Sequence, residues 1–145
     1  MDYTNLEKEQ LAIIKHELIS AAELELLSNS SFESVLKEIA LNSLTNENTL
    51  KGLTKSKFKE VQISIAESKT IPLEIIYLLL DSEIEDIQIA LAKNKRVTDV
   101  LPLAESEFEE VQFIILEREG LSRTVINTLY DSEFEDVVLS AEDKF

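Results

Sequence analysis

Apolar positions recur along this chain in a pattern that repeats about every 25 residues. Five segments share one signature: Ser31-Phe32-Glu33-Ser34-Val35, Lys57-Phe58-Lys59-Glu60-Val61, Glu83-Ile84-Glu85-Asp86-Ile87, Glu107-Phe108-Glu109-Glu110-Val111 and Glu133-Phe134-Glu135-Asp136-Val137. Their anchors, Phe32, Phe58, Ile84, Phe108 and Phe134, lie 26, 26, 24 and 26 residues apart, and Leu6 falls another 26 before Phe32. A degenerate copy therefore opens the chain, and the period covers nearly all of it. Self-similarity at a fixed period of this length marks a stacked-repeat architecture.

Within each copy the apolar positions have helical spacing. Three residues after the anchor stand Val35, Val61, Ile87, Val111 and Val137; seven and eight after it stand Ile13/Ile14, Ile39/Ala40, Ile65/Ala66, Leu91/Ala92 and Ile115/Leu116. Offsets 0, 3, 7 and 8 trace one face of an α-helix. This predicts a helix A of roughly twelve residues. Leu24, Leu50, Ile76, Val100 and Ile126 sit eight before the next anchor, and Leu27, Leu53, Leu79, Leu103 and Leu129 sit five before it. They predict a second helix, B, of about eight residues, either two α turns or partly 3₁₀.

Serines Ser31, Ser56, Ser82, Ser106 and Ser132 precede the anchors by one or two residues, and Glu85, Glu109 and Glu135 follow the last three serines by three. That spacing predicts capping boxes at the starts of helix A. Ser20, Thr45, Thr70, Thr98 and Ser122 are placed to cap helix B, with Pro72 and Gly120 at the same junction. The expected fold is an all-α solenoid of about five and a half repeats, forming one domain over 1–145. In it 1–30 are an N-terminal cap and degenerate repeat, 31–133 the core repeats, and 134–145 a C-terminal cap.

The run Asp81-Ser82-Glu83-Ile84-Glu85-Asp86-Ile87-Gln88-Ile89-Ala90-Leu91-Ala92-Lys93-Asn94, followed by Val97, Val100 and Leu103, resembles the leucine-rich repeat variant family, and the likeness extends from about Ser31 to the C-terminus. The resemblance implies a right-handed solenoid that alternates α and 3₁₀ helices. The family often has arginine after the central valine, where this chain has Gln62, Gln88, Gln112 and Val138. Some members carry an iron–sulfur module, which a chain without cysteine lacks.

Composition narrows the functional classes. With 145 residues and 44% hydrophobic content the chain suffices for one continuous core. The N-terminus has no basic and apolar leader, and no apolar run reaches the roughly 18 residues of a membrane span, so the expectation is a cytoplasmic protein without a membrane partner. The net charge of −15 is uneven: residues 1–70 carry 11 acids and 8 bases, residues 71–145 carry 18 acids and 6 bases. Such a surface repels phosphate backbones and anionic lipid and favours a basic protein partner.

The candidate binding residues are Glu83, Glu85, Asp86, Glu107, Glu109, Glu110, Glu133, Glu135 and Asp136, equivalent positions that stack into an acidic ridge. Acids at helix N-termini also complement the helix dipole, with Lys93, Lys95, Arg96 and Arg118 doing the same at the other end. Tyr77 and Tyr130 are candidate inner-surface anchors or half-buried residues beside the core, and the glutamines Gln62, Gln88 and Gln112 form a polar ladder that either reads a partner or lines the core edge. Asp81 to Asp86 lacks the glycine of a calcium loop. His16, the single histidine, is read as a solvated helix residue, with no triad to join. Lys51, Lys55, Lys57 and Lys59 form a local basic patch on a solvated flank. No catalytic residue, metal or cofactor is expected.

The function expected is a non-enzymatic binding module, of the inhibitor, immunity or antitoxin type, that sequesters a basic protein. A DNA-mimicking inhibitor and a scaffold or adaptor repeat are the alternatives.

Overall fold

The computed structural model describes residues 3–144; expectations that touch Met1, Asp2 or Phe145 lie outside the described residues. The chain folds into α1 (Tyr3–Ile14), α2 (Ala21–Leu27), α3 (Glu33–Leu41), α4 (Glu47–Leu53), α5 (Lys59–Glu67), α6 (Leu73–Leu80), α7 (Glu85–Lys93), α8 (Leu101–Ala104), α9 (Glu109–Leu116), α10 (Arg123–Tyr130) and α11 (Glu135–Glu142). Among the described residues there is no strand. The odd-numbered helices are the six A helices and the even-numbered the five B helices. The second helix of each repeat is α rather than 3₁₀, and it shrinks to a single turn in α8.

The chain divides into two compact units, Met1–Leu78 and Leu79–Phe145. In the first, α1 packs on α3 and α3 on α5, with α2 and α4 beside them. In the second, α7 packs on α9 and α9 on α11, while α8 lies against α10 and both B helices adjoin α9. A on A and B on B is the contact pattern of a helical-repeat protein.

The core follows the register. Val35, Val61, Ile87, Val111 and Val137 are fully buried, as are Ile39, Ile65, Leu91 and Ile115 seven residues after their anchors. The eighth position is also buried, by alanine in Ala40, Ala66 and Ala92 and by larger side chains in Ile14 and Leu116. Ile19, Ile71 and Val97, thirteen residues after an anchor, are buried from the turns between helices. Each fully buried aliphatic side chain contributes about 1.5–3 kcal/mol of transfer free energy, which these short helices need because none of them is stable alone.

The helix starts differ from the expectation. Phe32, Phe58, Ile84, Phe108 and Phe134 are themselves the N-cap residues, in extended conformation and with no side-chain cap. They are half-buried and lie outside the helix whose face they were expected to begin. The serine two residues earlier accepts the anchor's own N–H, in Ser56 to Phe58 (3.2 Å), Ser82 to Ile84 (3.2 Å), Ser106 to Phe108 (3.1 Å) and Ser132 to Phe134 (3.1 Å). These are serine turns in place of the expected capping boxes. In the second copy Ser30, not Ser31, takes the role, at 3.2 Å from Phe32 N.

A capping box forms instead on helix B, where Ser20 accepts from Glu23 N and Glu23 accepts from Ser20 N. Ser122 caps α10 as expected, but Asn46 rather than Thr45 caps α4, and Val100 rather than Thr98 precedes α8. Thr45 turns back and donates to Ile39 O at 2.6 Å.

Apart from α1, the A helices run for only eight or nine residues. What stops them is the residue ten after the anchor. Asn42 and Asn94 turn extended, and their Oδ1 atoms accept the N–H of Leu44 and Arg96, both at 3.0 Å. Ser68 does the same for Thr70 at 3.3 Å. His16 follows α1 in a turn, outside the helix in which it was expected, with Nδ1 accepting from Leu18 N at 3.2 Å. Arg118 has no acceptor to offer in this position, and there the turn is made by Gly120 at φ 71°.

Candidate binding surface

Of the glutamine ladder, Gln88 and Gln112 are buried and Gln62 is half-buried. Gln62, Gln88 and Gln112 donate through Nε2 to the carbonyls of Ser56, Ser82 and Ser106, at 2.8, 2.7 and 2.6 Å. Within the second unit, Oε1 of Gln88 and of Gln112 accepts from the hydroxyls of Ser106 and Ser132, the serines of the following repeat, each at 2.6 Å. Gln10 opens the series by accepting from Ser30 at 2.7 Å. Gln88 and Gln112 are buried, so of the two roles considered for the ladder the structure gives them the core-edge one: they join turn to turn and present nothing to a partner.

The acids are placed oppositely. Glu83, Glu85, Asp86, Glu107, Glu109, Glu110, Glu133, Glu135 and Asp136 are all exposed, in the turns before α7, α9 and α11 and in the first turns of these helices. Asp81, Glu105 and Asp131, three residues before their anchors, belong to the same exposed set; their register was the signal that marks them. Each of three consecutive repeats in the second unit thus carries four acids at positions −3, −1, +1 and +2 from the anchor. The seven glutamates of the nine candidate acids form no ion pair among the described residues. In the first unit the same positions hold Asn29, Ser31, Glu33 and Ser34, then Lys55, Lys57, Lys59 and Glu60. The Lys57 ammonium lies 4.9 Å from the Phe58 ring centroid.

The tyrosines are more exposed than half-burial beside a core provides, Tyr77 at 57% on α6 and Tyr130 at 43% on α10. Lys51, the first residue of the basic patch, is instead paired with Glu74 of α6 at 2.5 Å. Hydrogen bonding to Glu74 raises the Lys51 pKa and lowers that of Glu74, while the Glu74 carboxylate raises the pKa of the adjacent Glu47. Arg118 is half-buried and donates to Ala92 O at 3.3 Å and Val97 O at 2.7 Å, which ties α9 back to the end of α7; burial lowers its pKa.

An open cleft of about 520 Å³ lies in each unit. The first runs along Ser28–Ser31, Thr49 and Phe58, and the second along Thr98–Leu101 and Arg118–Ser122. Among the described residues no group of His, Asp or Glu is disposed to hold a metal ion, and no helix is long and apolar enough to cross a membrane.

Helix pairs, register and buried ladder define the class as an all-α helical-repeat protein. Comparison with protein-family models, curated proteins and solved structures gives no match. The functional reading therefore rests on this chain's own surface.

Proposed function

We propose that the chain is a non-enzymatic protein-binding module, acting in the cytoplasm, whose acidic register in the second unit captures a basic protein and blocks it, as an inhibitor or immunity-type protein does. The observation that carries the reading is the repetition of four exposed acids at identical positions in three successive repeats, on a frame whose stability comes from other residues. Helix-dipole complementarity accounts for the acids at +1 and +2 but not for those at −3 and −1, which lie before the helix and outside its first turn. Fixed like charges on a rigid array cost self-repulsion and repay it by steering a cation-rich surface into register. The right-handed winding implied by the likeness to leucine-rich repeat variants is part of the same proposal.

The test is capture from the lysate of the source cells at about 50 and 500 mM salt, a range over which the Debye length shrinks several-fold, with wild type and with Glu83→Lys/Glu85→Lys/Glu109→Lys/Glu135→Lys. A basic protein held by wild type at low salt, released by high salt and lost in the charge-reversed chain is the expected result. Retention of the same protein by the reversed chain overturns the reading.

A further inference from the structure

The outer face of α6 is more apolar than that of the other full-length B helices. Eleven, seven and six residues before the next anchor stand Ala21, Glu25 and Leu26 in α2, Glu47, Lys51 and Gly52 in α4, and Arg123, Asn127 and Thr128 in α10. In α6 the same positions are Leu73, Tyr77 and Leu78, which are 59, 57 and 46% exposed. The one-turn α8 has no comparable face. Ile75, Ile76, Leu79 and Leu80 already bury the inner side of α6, so folding has no use for an apolar outer side as well. Three large apolar side chains on one helix face, where α4 and α10 carry none and α2 a single one, Leu26, have the composition of a contact surface, with a tyrosine as its anchor.

The rim of this face selects its occupant. Lys51 from α4 pairs with Glu74, and Glu47, one turn before Lys51, shares that carboxylate's surroundings. Two carboxylates against one ammonium leave a negative surplus beside the apolar residues. A second copy of the chain would bring the same surplus face to face, on a molecule already at −15. An anionic lipid surface is repelled on the same ground. What the rim lacks is a second cation beside Lys51.

We propose that the outer face of α6 docks an amphipathic helix of the basic partner, whose apolar side covers Leu73, Tyr77 and Leu78 and whose bordering Lys or Arg meets Glu47 and Glu74. Leu73 to Leu78 spans about 7.5 Å along the axis, so roughly two turns of the incoming helix are enough. The inference rests on the reading of the partner as a basic protein and adds a second, apolar contact separate from the acidic register.

The probe is a synthetic amphipathic helix of leucine and lysine, compared with a scrambled peptide of identical composition, each dye-labelled and titrated with the full chain by fluorescence anisotropy. Wild type is expected to bind the amphipathic peptide about tenfold more tightly than the scramble. Tyr77→Asn/Leu78→Thr, which copies residues that α10 already carries, is expected to abolish that preference and leave only the salt-sensitive binding that both peptides share. Glu109→Lys/Glu135→Lys is expected to do the reverse; loss of the preference only in this variant assigns it to the acidic register and overturns the proposal. So do equal affinities for the two peptides in wild type, a preference that survives Tyr77→Asn/Leu78→Thr, or a dimer of the wild-type chain that the same variant disperses. Should the shared binding be absent while the preference persists, the acidic reading fails and the α6 contact stands.

Discussion

The Ser106 hydroxyl donates to Oε1 of Gln88 at 2.6 Å, across 18 residues of chain, while Nε2 of the same glutamine donates to the carbonyl of Ser82 at 2.7 Å. One buried carboxamide thereby closes its own repeat's turn and grips the next. Its orientation is fixed by chemistry: the amide nitrogen faces a carbonyl and the amide oxygen faces a hydroxyl that already accepts Phe108 N–H and so turns its own hydrogen outward.

Gln88→Ala is expected to destabilise the chain by about 2 kcal/mol, since it strands a buried carbonyl and leaves a void. Gln88→Leu is expected to cost less, because Leu36 fills the same register position in the second repeat and is buried there. Urea denaturation of the two variants measures both; equal losses contradict the ladder's role.

The two glycines should respond in opposite directions. A Cβ at Gly52, inside α4, meets open space, so Gly52→Ala is expected to raise stability by about 0.5–1 kcal/mol. Gly120 also has room but sits at φ +71°, and Gly120→Ala is expected to lower stability by about 1 kcal/mol. Thermal melts of the pair decide it.

Leu91→Ala removes a fully buried side chain and is expected to cost about 2–5 kcal/mol. Leu139→Ala, at a residue 54% exposed, is expected to stay within about 0.5 kcal/mol of wild type. Chemical denaturation of each against the parent checks the contrast.

Ser20→Ala removes the cap of α2 and is expected to cost about 1 kcal/mol at pH 7. Hydrogen bonds from the Ser20 hydroxyl and N–H hold the Glu23 pKa below its usual 4.5. A depressed carboxylate stabilises the fold above the unfolded pKa and loses that contribution as pH falls through the folded one. The gap between wild type and Ser20→Ala should therefore narrow below pH 4.5, as read by denaturation at pH 7 and pH 3.

Positions whose identity is set by burial were legible in the sequence: the period, the valines at +3, the pairs at +7 and +8 from Ile39/Ala40 onward, and the leucines of helix B all carry a pattern that packing imposes, whereas in the opening copy Ile14 is buried and Ile13 is exposed. The caps were less legible because serine, asparagine and threonine close several turns equally well at spacings one residue apart. Ser82 followed by Glu85 satisfies the capping-box spacing, yet the serine oxygen is taken by Ile84 N–H before the helix begins. Between Ser30 and Ser31 only the 26-residue step back from Ser56 discriminates. A glutamine at a core edge is equally at home inside or outside, so the sequence alone leaves the side taken by Gln88 and Gln112 open. The acids were legible as a row, and the register adds Asp81, Glu105 and Asp131 to it.

Each helix A from α3 onward starts on a serine turn and an extended anchor whose own side chain makes no cap hydrogen bond. The same backbone consequently accepts Ser31 and Glu33, Lys57 and Lys59, or Glu107 and Glu109 at those places. The instructions for folding and for surface charge are written at different addresses in the repeat. Swapping the outward letters of one repeat for those of another is then an exchange of specificity on an unchanged chassis, and each repeat is an independently programmable unit.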